Sequence, residues 1–123
     1  MWAVETADDF DRWFAELGDD EKVEVIAKVE LLKILGPQLK RPHADTLGGS
    51  RHTNMKELRA STATAVLRVA FAFDPMRHAV LLIGGDKSGV SERRFYKQLI
   101  AKADELYDLH LAKLQARKRG RGR

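Results

Sequence analysis

The 123-residue chain contains no cysteine, which excludes a disulfide scaffold, a thiolate metal site and cysteine catalysis. No apolar run approaches the roughly 18–20 residues of a membrane span. The opening MWAVETADDF is acidic and has no basic segment leading into an apolar one, so it does not read as a secretory signal. A cytoplasmic protein that does not engage membranes is expected by elimination. Several chemical motifs are missing as well. No Gly-x-Ser-x-Gly elbow supports a serine hydrolase. The GGDKSG run at 84–89 lacks the spacing of a P-loop, so nucleotide hydrolysis is rejected. The four histidines, at 43, 52, 78 and 110, form no ligand pair at helical spacing, and neither a metal nor another cofactor is expected.

What remains suits one small folded domain. At 44% hydrophobic and 33% charged, the chain has apolar material for a modest core and too much for a disordered polymer. The domain is expected over residues 1–116, with 117–123 (RKRGRGR) as a basic, disordered tail. The net charge of +4 hides an asymmetry: residues 1–30 carry ten acids and three bases, and residues 31–116 carry eight acids and fourteen bases. A basic region beside an acidic one fits a polyanionic ligand on the basic side, or a solvated surface with no ligand.

Periodicity places the elements. Met1 to Thr6 reads as a short strand. Thr6 and Asp9 have capping-box spacing, so a helix is expected from about Ala7, with Phe10, Trp13, Phe14 and Leu17 at helical spacing and a stop at Gly18. Asp19 and Asp20 suit the N-cap and first turn of a second helix that ends at Leu35, before Gly36-Pro37. Residues 37–53 are turn-rich. Asn54 to Ala60 reads as a strand, and Thr64 to Phe73 as a longer one. Its Leu67, Val69, Phe71 and Phe73 lie on one face, and its Val66, Arg68, Ala70 and Ala72 on the other. Asp74 to Arg77 forms a turn, His78 to Gly84 an apolar strand, and residues 84–89 a loop. Ser91 caps a last helix running to about Ala116. The sum is an α+β fold: a small, largely antiparallel sheet with an N-terminal helical hairpin and a C-terminal helix. The helices are expected on the aromatic face, which leaves the Arg68 face open.

That face carries the candidate chemistry. Arg68 is flanked by small neighbours that leave room for a ligand. Arg59 shares a face with Glu57, because residues two apart in a strand point the same way. Pairing through the turn near 61–63 would bring both arginines to one face, with Lys87 following at the end of the next strand. Three cations together call for an anion, and the planar fork of arginine suits phosphate. The plainer alternative is that Glu57 simply pairs with Arg59 or Arg68.

The run LGPQLKRPHADTLGGSRHTNMKELRAS, followed by TAVLRVAFAFDP, AVLLIGGDKSG and RRFYKQLIAKADELYDLHLAKL, resembles the phage-derived HigB-type toxins of the RelE/ParE superfamily. The resemblance covers roughly residues 1–115. It is most specific at Lys56-Glu57-Leu58-Arg59, at the strand of Arg68 and at Lys87. It implies a RelE-like fold and a type II toxin that cleaves mRNA on the ribosome. It also implies a small cognate antitoxin of the HigA kind with a helix-turn-helix domain. The implied mechanism is metal-independent attack by the RNA's own 2′-hydroxyl. Because arginine stays protonated, Arg59 and Arg68 are assigned to phosphate stabilisation. Lys87 is assigned to phosphate contact or acid–base work, and Glu57 or His52 to the base. Arg51, Lys56, Arg93 and Arg94 are expected to contact RNA. Many members carry an aromatic-rich or double-lysine segment after the last strand, where this chain has one lysine. Some relatives use a tyrosine or histidine near the C-terminus as a proton carrier, and Tyr96, Tyr107 and His110 are the residues of those types here.

The superfamily also contains toxins that poison DNA gyrase without cleaving RNA. For such a protein the acidic hairpin at 7–35 would be the contact surface. An inert antitoxin-binding domain or a general RNA-binding module is the third reading.

Overall fold

The period-two stretches form the centre of the molecule. A computed structural model, which describes residues 1–121, contains β1 (Ala3–Thr6), α1 (Asp8–Ala15), α2 (Asp19–Leu35), a single 3-10 turn (Gly36–Gln38), β2 (Ala44–Thr46), β3 (Met55–Ser61), β4 (Val66–Phe73), β5 (His78–Asp86) and α3 (Glu92–Arg121). One sheet has the order β1-β5-β4-β3-β2. β1 lies parallel to β5, and the other neighbours are antiparallel. The architecture is α+β and RelE-like, as the sequence indicated.

The helical hairpin packs as its apolar stripes require. Phe10 of α1 and Val25 and Leu32 of α2 bury against Leu58, Leu67, Val69, Phe71 and Leu81. Thr6 supplies no cap: Ala7 is the N-cap of α1, and no side chain bonds to it. Gly18, not Asp19, caps α2, and its N–H donates to Glu21 Oε1 at 2.8 Å.

The other face of the sheet is not open, which corrects the expectation. Phe95, Leu99, Ala103, Leu106 and Tyr107 of α3 roof Met55, Ala70, Ala72, Val80 and Leu82 in a second core. The spacing of four, four and three along α3 is an apolar stripe that must be buried, and the small Ala70 and Ala72 make room for it. Space that could have admitted a ligand admits a helix.

Three further differences have local causes. β2 pairs with β3 inside the turn-rich segment, over a span too short to show a period. Gly84 and Gly85 belong to β5 rather than to a loop, and each is a thin place under an aromatic ring. A Cβ at Gly84 would lie 2.4 Å from Trp13, and one at Gly85 2.9 Å from Phe95. Finally, α3 continues past Ala116 to Arg121, so the segment expected to be disordered is helical as far as it is described; residues 122–123 lie outside the described residues. Among the described residues no helix is long and apolar enough to cross a membrane, and no group of three metal-ligating side chains forms.

Candidate functional site

Strand register builds the site from β3 and β4. Arg59 and Arg68 are direct cross-strand partners, and Glu57, two residues before Arg59, stands opposite Ala70 on the same face. From above, α3 lowers Tyr96 between them. The Tyr96 hydroxyl donates to Glu57 Oε1 at 2.8 Å and accepts from Arg68 Nε at 3.2 Å. Arg68 Nε lies 3.5 Å from Glu57 Oε1, and its Nη1 donates to the Leu67 carbonyl at 2.9 Å. Glu57 is 6% exposed and Arg68 4%, so this is a buried ion pair held by a phenol rather than a free cation on an open face. The Glu57–Arg68 pairing weighed from the sequence is therefore present. Burial, and then the hydrogen bond to the Glu57 carboxylate, push the Tyr96 hydroxyl above its usual pKa and keep it a proton donor at neutral pH.

Lys87, at the end of β5, completes the cluster. Its Nζ donates to Glu92 Oε1 at 2.7 Å and lies 5.5 Å from the centre of the Tyr96 ring. The Glu92 carboxyl is held below its ordinary value by the hydrogen bond and charge of Lys87, and then by the charges of Arg68 and Arg59. The three cations are therefore not equivalent: Arg68 is buried in its pair with Glu57, Arg59 stands opposite Arg68 on β3, and Lys87 is tied to Glu92. Arg59 and Arg68 also line a groove of about 370 Å³ with Ser61, Pro42 and, from α2, Glu24 and Lys28.

Other expected residues lie elsewhere. His52 Nε2 is 2.8 Å from Asp108 Oδ1, and its ring meets Tyr107 edge-on at 4.8 Å. Tyr107 is eleven residues beyond Tyr96, about 16 Å along the helix, so His52 does not join Glu57. Arg51 pairs with Asp108. Lys56 alternates with Glu57 and lines a separate groove with Arg41, Asp45 and Thr46. Arg93 and Arg94 are exposed on the first turns of α3 beside Lys97 and Gln98, next to Glu92. Among the residues that could carry a proton, Tyr96 reaches the cluster. Tyr107 instead donates to the Phe73 carbonyl at 3.2 Å, and His110 Nε2 lies 2.7 Å from Asp74 Oδ2. Glu92 went unnoticed in the sequence. Its one signal there is a position five residues after Lys87, at the opening of a helix.

Comparison with known proteins gives the family. Residues 12–108 match the family described as "Phage derived protein Gp49-like". The chain is 42% identical over 102 residues to "Putative toxin HigB3" of Mycobacterium tuberculosis (strain ATCC 25618 / H37Rv), an alignment covering 83% of this chain and 87% of that protein. It is 41% identical over 104 residues to "Putative toxin HigB2" of the same organism, covering 84% of this chain and 51% of that protein, so it spans about half of that relative's length. The chain belongs to the phage-derived Gp49-like family, in agreement with the HigB-type resemblance carried by its β3, β4 and Lys87 segments.

Proposed function

We propose that the chain is the toxin of a type II toxin–antitoxin system and a ribosome-dependent mRNA endonuclease, neutralised by a HigA-like antitoxin. The observation that carries this reading is a cluster in which Arg68 donates to the Tyr96 hydroxyl, Lys87 lies over the Tyr96 ring, and Arg59 stands opposite Arg68 and lines a groove with it. Cleavage without a metal needs the 2′-oxygen to attack phosphorus while the bond to the 5′-oxygen breaks, leaving a 2′,3′-cyclic phosphate and a 5′-hydroxyl. Arg59 and Lys87 face the charge that develops on the phosphorane oxygens. Arg68 orients Tyr96, whose phenol supplies a proton to the leaving 5′-oxygen. Glu57, hydrogen-bonded to the same phenol, accepts a proton as the 2′-hydroxyl loses one. His52 has no part in this scheme.

Arg59 is the residue to change first. Replacing Arg68 would strand Glu57 as a buried lone charge at a cost of about 3–5 kcal/mol, which confuses loss of fold with loss of chemistry. Primer extension after brief induction should show cuts in a translated message and none in an untranslated copy. Arg59→Ala should lower the cutting rate roughly 10²–10³-fold. Growth arrest with intact message would overturn the endonuclease reading. It would favour a protein target such as gyrase, for which α2 offers Val23, Ile26 and Ile34 exposed among acidic neighbours.

A further inference from the structure

We propose that Glu92 is a built-in stand-in for the substrate phosphate: its carboxylate holds the anion position beside Lys87 and must swing out before RNA can enter. The inference rests on the site reading above and names what regulates access to it. The two partners differ in freedom. The Lys87 side chain is only 18% exposed and fixed beside the Tyr96 ring, whereas that of Glu92 is 70% exposed and free to turn into solvent. Charge calls for an occupant there. Arg59 and Arg68 stand directly opposite one another, an arrangement that repels; Glu57 is taken up by Arg68, Glu24 shares the groove with Lys28, and Asp45 is paired with Arg41, so the cluster keeps a positive excess. Glu92 supplies one more negative charge, as a phosphodiester would, with two oxygens of similar reach. It also sits in the first turn of α3, where unpaired backbone amides favour an anion. A lone anion must compete with this tethered carboxylate. A strand that also touches Arg93, Arg94 and Lys97 has further contacts with which to displace it.

The test compares the full chain with Glu92→Gln, using calorimetry with inorganic pyrophosphate and with a short 2′-deoxy oligonucleotide that cannot be cut. Glu105→Gln serves as the control, since Glu105 is exposed on the same helix and pairs with Lys102. Glu92→Gln should bind both probes about fivefold more tightly, the effect of removing one nearby like charge in water. Its affinity for the oligonucleotide should fall more steeply with salt, by roughly 0.7 in logarithmic slope, because one more phosphate is neutralised. Glu105→Gln should change neither. Equal or weaker binding by Glu92→Gln, or no binding by either chain, overturns the stand-in. Message cleavage, assayed in parallel, separates the two claims. Tighter binding without cleavage leaves the stand-in and removes the endonuclease. Cleavage without tighter binding does the reverse.

Discussion

Tyr96 is the residue on which the site turns, because among the described residues it is the one side chain of α3 that bonds to both Glu57 and Arg68. Its ring packs edge-on against Phe95 at 5.2 Å, so Tyr96→Phe should keep the roof in place and remove only the hydroxyl. Glu57 then loses its donor in a buried setting, a loss worth about 1–3 kcal/mol, readable as a lower urea midpoint with an unchanged slope. If the phenol donates the proton, cleavage should fall by roughly 10²–10⁴. Full cleavage by Tyr96→Phe would remove the phenol from the mechanism and leave its role as a clamp. The sequence offered Tyr96 among three candidates and gave no means of choosing. Helical spacing says which residues share a stripe, but Tyr96 stands at the margin of the Phe95, Leu99, Ala103 and Leu106 stripe. Only the docking angle of α3 decides whether a marginal residue reaches the sheet.

At the scale of elements, the strands and helices were largely legible because their apolar periods are clean, as in β4 and α2. The pairing of Arg59 with Arg68 followed from a short turn between two alternating stretches. The placement of α3 was not legible, since a buried stripe does not say which sheet face it will cover. Nor was β2, whose identity comes from pairing with β3 rather than from its own composition. One tie between elements was equally hidden. Asp74, in the turn after β4, accepts hydrogen bonds from the Met76 and His78 amides and faces His110 on α3. Burial raises its carboxyl, but the hydrogen bonds from His110 and the two amides outweigh burial and hold it below the usual 3.8. A depressed value means that folding favours the ionised form. The tie is therefore at full strength above about pH 4 and is lost as pH falls through the lower folded value. Asp74→Asn should lower stability at neutral pH and flatten the acid limb of the stability profile, as read by chemical unfolding between pH 5 and pH 2. An acid limb as steep as that of the parent chain would show that the tie carries no such linkage.

Across the whole molecule, charge is segregated by chain position, with acids on the N-terminal hairpin and bases toward the end of α3. Association with a polyanion should therefore weaken as salt rises. Removing residues 117–123 takes away five basic side chains, and under the proposed ribosome-dependent function the truncated chain should bind ribosomes with a shallower salt dependence. An unchanged dependence would assign the segment to solubility. The parallel pairing of β1 with β5 carries a consequence of another kind, for the order of assembly. Residues 3–6 cannot find their neighbours at 78–81 until most of the chain exists, and a contact of such long separation forms slowly. The pieces that finish the site, Lys87, Glu92 and Tyr96, come later still. A nascent chain stopped before α3 would have no phenol over Glu57 and would show Met55, Ala70, Val80 and Leu82 to water. Such a fragment would expose one face of the sheet to chaperones and proteases, so the cluster of Glu57, Arg68 and Tyr96 is assembled only when synthesis is nearly complete.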